Sequence, residues 1–216
     1  MAMEVAVVGG HGQIALRLLR LFSERGDRAR GLIRNPDHAA DVEATGATAV
    51  GTDIENLDAD AVARSIAGVD AVVFAAGAGP GSGPARKRTV DYGGAVKLIE
   101  AAQHEGIRRY VIVSSMGAAE RPDGDKGFAV YLQAKHDADE KLRESGLDYT
   151  IVRPGGLTEN AGTGKVSIAQ HLDRGEIPRD DVAAVLFAAL GADNTIGKDF
   201  DLIGGDTPIG DAVAAL

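Results

Sequence analysis

Two residues able to move a proton stand four positions apart in the sequence. Tyr131 and Lys135 fall within Phe128–Ser145, a segment whose apolar residues recur at helical spacing. Residues four apart share one face of a helix, so the lysine ammonium would stand beside the tyrosine and favour its phenolate. The spacing predicts a candidate acid–base pair. An aromatic residue of an amphipathic helix beside a surface lysine has the same spacing, and this alternative stays open.

A glycine-rich turn near the start of the chain has the composition of a phosphate-binding loop. The segment VAVVGGHGQIA runs from Val5 to Ala15, so a strand-like run leads into Gly-x-Gly-x-x-Ala and then into a helical pattern. Glycines allow a tight turn and a close approach of the backbone to a pyrophosphate, which the helix N-terminus also attracts. The alternative is a merely tight turn. On the first strand of a βα series, the pattern predicts dinucleotide binding by Gly9, Gly10, His11, Gly12, Gln13 and Ile14.

Arg34 ends the second predicted strand, where an NAD-binding protein normally has an acidic residue for the ribose 2′-hydroxyl. A guanidinium at this position can pair with a 2′-phosphate through two hydrogen bonds and stack on the adenine. The sequence therefore favours NADP as the cofactor over NAD. A solvated arginine at the end of a strand is the alternative interpretation.

The elements that must position these residues alternate regularly between strand and helix. The predicted strands are near-continuous apolar runs, which are typical of a parallel sheet covered on both faces; they are Glu4–Val8, Arg28–Ile33, Ala47–Val50, Ala71–Ala75, Arg109–Ser114, Tyr149–Val152 and Asp199–Ile203. Helical spacing predicts helices at Gln13–Arg25, Pro36–Thr45, Asp58–Ala67, Arg86–Glu105, Phe128–Ser145 and Asp180–Leu190. We expect an α/β fold with one doubly wound, Rossmann-type parallel sheet of about seven strands and helices on both faces.

Composition narrows the class of protein further. The 216 residues carry a net charge of −9 and no cysteine, which argues against a nucleic-acid partner, a disulfide framework and a thiolate metal site. No apolar run is long enough for a membrane helix, and the N-terminus lacks the basic region of a signal peptide. We expect a cytoplasmic protein with a single NAD(P)-binding domain over residues 1–216 and a short substrate-side segment at about 155–216. We also expect a small-molecule substrate and no metal site, and the choice between a monomer and a homodimer stays open.

The chain resembles the short-chain dehydrogenase/reductase superfamily, and more narrowly its small atypical branch of NAD(P)-binding, epimerase/dehydratase-like and NmrA-like proteins. The resemblance covers nearly the whole chain and rests on GGHGQIA from Gly9, GTDI from Gly51, AAG from Ala75, the pair Ser114–Ser115, YLQAK from Tyr131, IVRPG from Ile151 and PRDDVA from Pro178. It implies that Asp53 and Ile54 meet the adenine and that Ala75, Ala76 and Gly77 line the ribose side. It also implies that Pro154 and Gly155 flank the nicotinamide.

The resemblance also implies roles in catalysis. Tyr131 and Lys135 would perform proton transfer, Lys135 would also hold the nicotinamide ribose, and Ser115, or its neighbour Ser114, would polarise a substrate carbonyl. The chain departs from the superfamily pattern at two positions. Met116 stands where the family register can place the active hydroxyl, and Asp91 stands where an asparagine commonly supports a proton path.

Three functions follow from these residues. The first is an NADP-dependent oxidoreductase of a small carbonyl or alcohol, with a flavin reductase-like enzyme as a variant. The second is an NAD(P)-dependent nucleotide-sugar epimerase or dehydratase, although the short region after Pro154 leaves little room for a sugar-binding lobe. The third is a redox sensor that holds NADP(H) without turnover and has no need of the tyrosine–lysine pair.

Overall fold

A computed structural model of the chain describes residues 2–79, 81–125 and 127–216. Its strands are β1 Glu4–Val8, β2 Arg28–Ile33, β3 Thr48–Gly51, β4 Ala71–Phe74, β5 Arg109–Val113, β6 Asp148–Pro154, β7 Gly156–Thr158, β8 Lys165–Ala169, β9 Glu176–Pro178, β10 Lys198–Gly204 and β11 Thr207–Pro208. Its α-helices are α1 Gln13–Arg25, α2 Ala39–Glu43, α3 Ala59–Ile66, α4 Pro84–Arg86, α5 Gly93–Glu105, α6 Gly127–Glu144, α7 Arg179–Leu190 and α8 Ile209–Ala214.

The central sheet has nine strands in the order β11-β8-β10-β6-β5-β4-β1-β2-β3. All seven predicted strands are present, and they form its parallel part, so the prediction of a doubly wound α/β fold is confirmed. The prediction of about seven strands was low by two. Strands β8 and β11 extend the sheet in the antiparallel direction beyond β10. Strand β11 has only two residues, both exposed, and Val166 is the only fully buried residue of β8, so neither strand has a continuous buried apolar run.

The apolar core lies in two layers, one on each face of the sheet. Along β1, Val5 and Val7 point into the layer under α1, α7 and α8, whereas Ala6 and Val8 point into the layer under α3, α5 and α6. This alternation follows from the two-residue period of a strand. Both faces are therefore covered, and the carboxyl edge of the parallel strands is the place where loops gather.

The helix predicted at Arg86–Glu105 is not uniform. A π-helical segment, Lys87–Tyr92, separates the short α4 from α5. This segment contains the fully buried Asp91. Single π-turns inside helices are frequent at functional sites.

The described residues lack two kinds of feature. None of their helices is both long and apolar enough to cross a membrane. The same residues contain no group of three or more histidine, cysteine, aspartate or glutamate side chains arranged to hold a metal ion.

Candidate functional site

The glycine-rich turn between β1 and α1 is packed tightly against the neighbouring strands. A Cβ atom on Gly9, whose φ is 82°, would lie 2.7 Å from the Cα of Ala76, and one on Gly10 would lie 2.7 Å from the Cα of Gly31. Helix α1 begins directly after Gly12, with no acidic residue in its first turn and no side-chain cap on its first amides. Glycines let the backbone approach a pyrophosphate closely, and the uncapped N-terminus of α1 leaves its first amides free to bind one, so these residues fit a dinucleotide.

A cleft of about 310 Å³, here called the loop cavity, opens beside this turn. Most of the residues expected at the adenosine and phosphate end of the cofactor line it together; they are Gly9, His11, Gly12, Arg34, Asp53, Ile54, Ala75, Ala76 and Gly77. Gly10 instead packs on β2, and the Gln13 side chain accepts a hydrogen bond from Arg17. Ile14 lines the next cavity along the sheet edge.

The rim of the loop cavity carries an ion network that the sequence did not predict. Arg34 is exposed, and its guanidinium lies 3.5 Å from Glu55, which also accepts a hydrogen bond from Arg86 at 3.1 Å. The ring of His11 stacks on His38 at 3.7 Å between centroids. Three segments distant in the sequence thus place cations and aromatic rings around one cleft.

A second cleft of about 460 Å³, here called the tyrosine cavity, continues from the loop cavity and shares Ala75, Ala76 and Gly77 with it. All three residues with a predicted catalytic role line it, as do the residues expected to flank the nicotinamide; they are Ser115, Tyr131, Lys135, Pro154 and Gly155. Strand β5, helix α6 and strand β6 deliver these groups to one place, because their ends meet at the carboxyl edge of the sheet.

Lys135 is a buried cation. Only 3% of the residue is exposed, so the alternative of a surface lysine is wrong. Its Nζ donates a hydrogen bond to the carbonyl oxygen of Val113 at 3.1 Å and lies 3.4 Å from a carboxylate oxygen of Asp91. Burial opposes the charge, but Tyr131, Asp91 and Asp139 outweigh it, and the pKa of Lys135 is raised above its usual value.

Asp91 connects this lysine to the loop after β4. One of its carboxylate oxygens accepts a hydrogen bond from the backbone amide of Ala78 at 3.1 Å, and the other is the oxygen that faces Lys135. A carboxylate in the position of the usual asparagine therefore supplies a counter-charge to the buried ammonium. It also fixes the loop that separates the loop cavity from the tyrosine cavity.

The two neighbouring serines face different surroundings. The Ser114 hydroxyl donates a hydrogen bond of 2.7 Å to the fully buried Asp139 and is nearly inaccessible. The Ser115 hydroxyl is half-buried and bonded only weakly, at 3.3 Å, to the carbonyl oxygen of Met116. Ser115 is thus the hydroxyl with freedom to turn toward a ligand.

A third cleft of about 780 Å³, here called the outer cavity, shares Ser115, Phe128, Tyr131, Pro154 and Gly155 with the tyrosine cavity. Its remaining walls come from the loop after β5, including Met116, and from a segment at 170–175 that we call the β8–β9 loop. No chemical motif marks the β8–β9 loop in the sequence, so none of its residues was predicted to belong to the site.

A buried arginine holds the β8–β9 loop in place. Arg153 on β6 is 0% exposed, and its guanidinium pairs with Asp199 and Asp201 of β10. The same guanidinium donates to the backbone oxygen of Gln170 at 3.2 Å, while Asp201 accepts from the amide of Leu172 at 3.1 Å. The amide of Gly156 adds a further bond of 2.8 Å to the oxygen of Gly175.

The sheet order and the glycine turn define a Rossmann-type protein of the NAD(P)-binding class, and comparison with known proteins agrees. The chain belongs to the NAD(P)H-binding family, whose model matches residues 9–193. It is 43% identical to the uncharacterized sugar epimerase YhfK of Bacillus subtilis, over 99% of this chain and 100% of that protein.

Two solved structures show the same architecture over the whole chain. A candidate NAD-dependent epimerase/dehydratase from Bacillus halodurans superimposes with a TM-score of 0.93 at 38% identity, covering 100% of both chains. The oxidoreductase ylbE from Lactococcus lactis superimposes with a TM-score of 0.88 at 29% identity, covering 99% of this chain and 96% of that one. The chain therefore has an NAD(P)H-binding fold of the oxidoreductase and epimerase kind.

Proposed function

We propose that the protein is an NADP-dependent oxidoreductase that interconverts a small carbonyl compound and its alcohol. The observation that carries this proposal is the wall shared by the tyrosine and outer cavities. Tyr131 and Ser115 stand in that wall, with the buried ammonium of Lys135 behind them and the phosphate loop beside them. A ligand in the outer cavity would thus meet both hydroxyls at the end of the cofactor cleft.

Each residue has a distinct task in this proposal. Ser115 donates a hydrogen bond to the substrate carbonyl oxygen, and Tyr131 gives the proton that the oxygen takes up during reduction. The bound nicotinamide supplies the hydride for the carbonyl carbon, or accepts it in the reverse direction. Lys135 stabilises the phenolate left on Tyr131, which then recovers a proton from solvent.

The preference for NADP rests on the cations at the rim of the loop cavity. Arg34 directly follows β2, and Arg86 is the last residue of α4, so a 2′-phosphate would meet two guanidinium groups. Calorimetry with NADP and NAD tests this on the wild type and on Arg34→Ala. We expect the substitution to weaken NADP binding by about 1.5–3 kcal/mol, the usual contribution of charged hydrogen bonds, and to weaken NAD binding less, because NAD lacks the 2′-phosphate. Equal affinity of the wild type for both cofactors would contradict the role of Arg34.

The region after Pro154 favours an oxidoreductase over a sugar-nucleotide epimerase. Strands β8, β10 and β11 extend the central sheet, and helices α7 and α8 cover it. Strands β7 and β9 pair in a separate two-stranded sheet of three residues each. Most of the region after Pro154 is thus used for the central sheet and its core, which supports the oxidoreductase over an enzyme that needs a lobe for a sugar nucleotide.

The test of catalysis is the reduction of a panel of aldehydes, ketones, quinones and flavins, followed by loss of NADPH absorbance. Tyr131→Phe keeps the ring and removes the transferable proton, so it should bind NADPH normally and lose between about 10²- and 10⁴-fold in turnover. Wild-type turnover in this variant would assign the proton to water or to another group. If the wild type binds NADPH and reduces no compound, the protein is a cofactor sensor.

A further inference from the structure

The outer cavity presents an apolar surface next to the proposed reaction centre. Met116 and Leu132 form part of its wall, and Phe128, at 63% exposure, is the most exposed large apolar side chain of the described residues. The Phe128 ring lies 5.5 Å from that of Tyr131, so the two rings form one aromatic surface. Exposed apolar groups in a concave site mark a surface that a ligand covers.

The β8–β9 loop adds a positive charge to the same cavity. Arg174 and His171 both line it, whereas the acidic neighbours Asp173 and Glu176 do not. Among the described residues, no carboxylate lies within 4 Å of the Arg174 guanidinium. In a chain with a net charge of −9, this exposed guanidinium is a local attraction for anions.

The two carboxylates that line the cavity differ in whether they already have a cationic partner. Asp201 lines the cavity but is already paired with Arg153 at 2.8 Å. Glu120 opposes Arg174 from the loop after β5 and is exposed. The backbone on both sides of Arg174 is held by hydrogen bonds, from the amide of Leu172 to Asp201 and from the amide of Gly156 to Gly175, so the backbone position of Arg174 is set before any ligand arrives.

We propose that the substrate of this enzyme is an aromatic carbonyl compound bearing a carboxylate or a similar anionic group. Its ring covers Phe128, Met116 and Leu132, its anionic group pairs with Arg174, assisted by His171, and its carbonyl reaches Tyr131 and Ser115. Reduction adds a hydride to the carbonyl carbon and a proton to the oxygen, so NADPH is oxidised as the alcohol forms. This inference rests on the proposed function for its chemistry, but the anion site itself does not depend on turnover.

Matched pairs of aldehydes test the role of the charge. We would compare 4-carboxybenzaldehyde with 4-methylbenzaldehyde, and the biphenyl analogues of both, in wild type, Arg174→Gln and the control Arg64→Gln. Arg64 is exposed on α3 and lines none of the three cavities. The carboxylates should have at least about ten-fold higher kcat/KM in wild type, mainly through KM, as expected for one charge-assisted contact. Arg174→Gln should abolish this preference, and Arg64→Gln should keep it.

Calorimetry separates this inference from the proposed reaction. The product alcohols cannot react when no NADP is present, so 4-carboxybenzyl alcohol, 4-methylbenzyl alcohol and their biphenyl analogues are titrated into the same three proteins without cofactor. If at least one carboxylate binds and its binding weakens about ten-fold in Arg174→Gln, the anion site is supported, whether or not any aldehyde is reduced. If no aldehyde is reduced, that result refutes only the oxidoreductase.

Three results would overturn the inference. The first is equal binding of the charged and uncharged compounds at both lengths. The second is a carboxylate preference that survives in Arg174→Gln. The third is a preference for the cationic 4-(trimethylammonio)benzaldehyde that disappears in Glu120→Gln.

Discussion

Replacing Asp139 by asparagine should stabilise the protein at neutral and higher pH. Asp139 is 0% exposed, one carboxylate oxygen accepts the Ser114 hydroxyl at 2.7 Å, and the other has no hydrogen-bond partner. Burial is the main cause that raises the pKa of Asp139 from 3.8 to about 7. The hydrogen bond from Ser114 and the nearby cations, Lys135 foremost, lower this pKa but do not outweigh burial. Asparagine keeps the shape and an acceptor oxygen and carries no charge.

The size of the effect follows from the two pKa values of Asp139. Between pH 3.8 and about 7, the unfolded chain releases this proton while the folded chain retains it. The free energy of unfolding of the wild type therefore falls as pH rises through this window, and stays lower above it. With a pKa difference of about three, the loss amounts to about 4 kcal/mol. The asparagine variant lacks this loss.

Urea denaturation between pH 4 and 8 measures the difference. The free energies of unfolding of wild type and Asp139→Asn should be close at pH 4, and the variant should exceed the wild type by several kcal/mol at pH 8. Asp206→Asn, on an exposed residue, serves as the control and should follow the wild type. A gap of equal size at both ends of the range, or a variant that is less stable than wild type at pH 8, would refute the reasoning.

Gly9→Ala would place a Cβ 2.7 Å from the Cα of Ala76 at a φ of 82°, so NADPH binding measured by calorimetry should weaken at least about ten-fold. Gly26 has a similar φ of 86° but open space around it, so Gly26→Ala should lower the free energy of unfolding by about 1 kcal/mol and leave NADPH binding intact. Equal NADPH binding by the two variants would contradict the role of the turn. Asp91→Asn removes the counter-charge of the buried Lys135, and the free energy of unfolding at pH 7 should fall by about 3 kcal/mol in urea denaturation. An unchanged value would show that Lys135 does not need that charge.

The parallel sheet could be predicted from the sequence because each of its strands leaves a local signal. A strand such as β4, buried along its whole length, reads as a continuous apolar run. Strands β8 and β11 leave no such signal, because β11 is a two-residue edge strand and β8 buries only Val166 fully. The π-helical segment around Asp91 was also missed, because its apolar spacing does not distinguish it from the α-helix that follows it.

Part of the candidate site could likewise be predicted from the sequence, and part could not. The glycine turn, Arg34, Tyr131 and Lys135 could be singled out because residue type and spacing alone indicate a chemical task. The outer cavity with Arg174 could not, because its lining residues come from loops that are far apart in the sequence and meet only in the folded chain.

The anchor provided by Arg153 bears on how substrate preference could diverge among descendants of this protein. The Arg153 guanidinium donates a hydrogen bond to the backbone oxygen of Gln170 in the β8–β9 loop, and Asp201 accepts one from the backbone amide of Leu172. Backbone bonds do not depend on the side chains that the loop carries, so outward residues such as His171 and Arg174 are free to mutate while the loop keeps its path. New specificities are therefore accessible by single substitutions at the cavity wall, without a compensating change in the core.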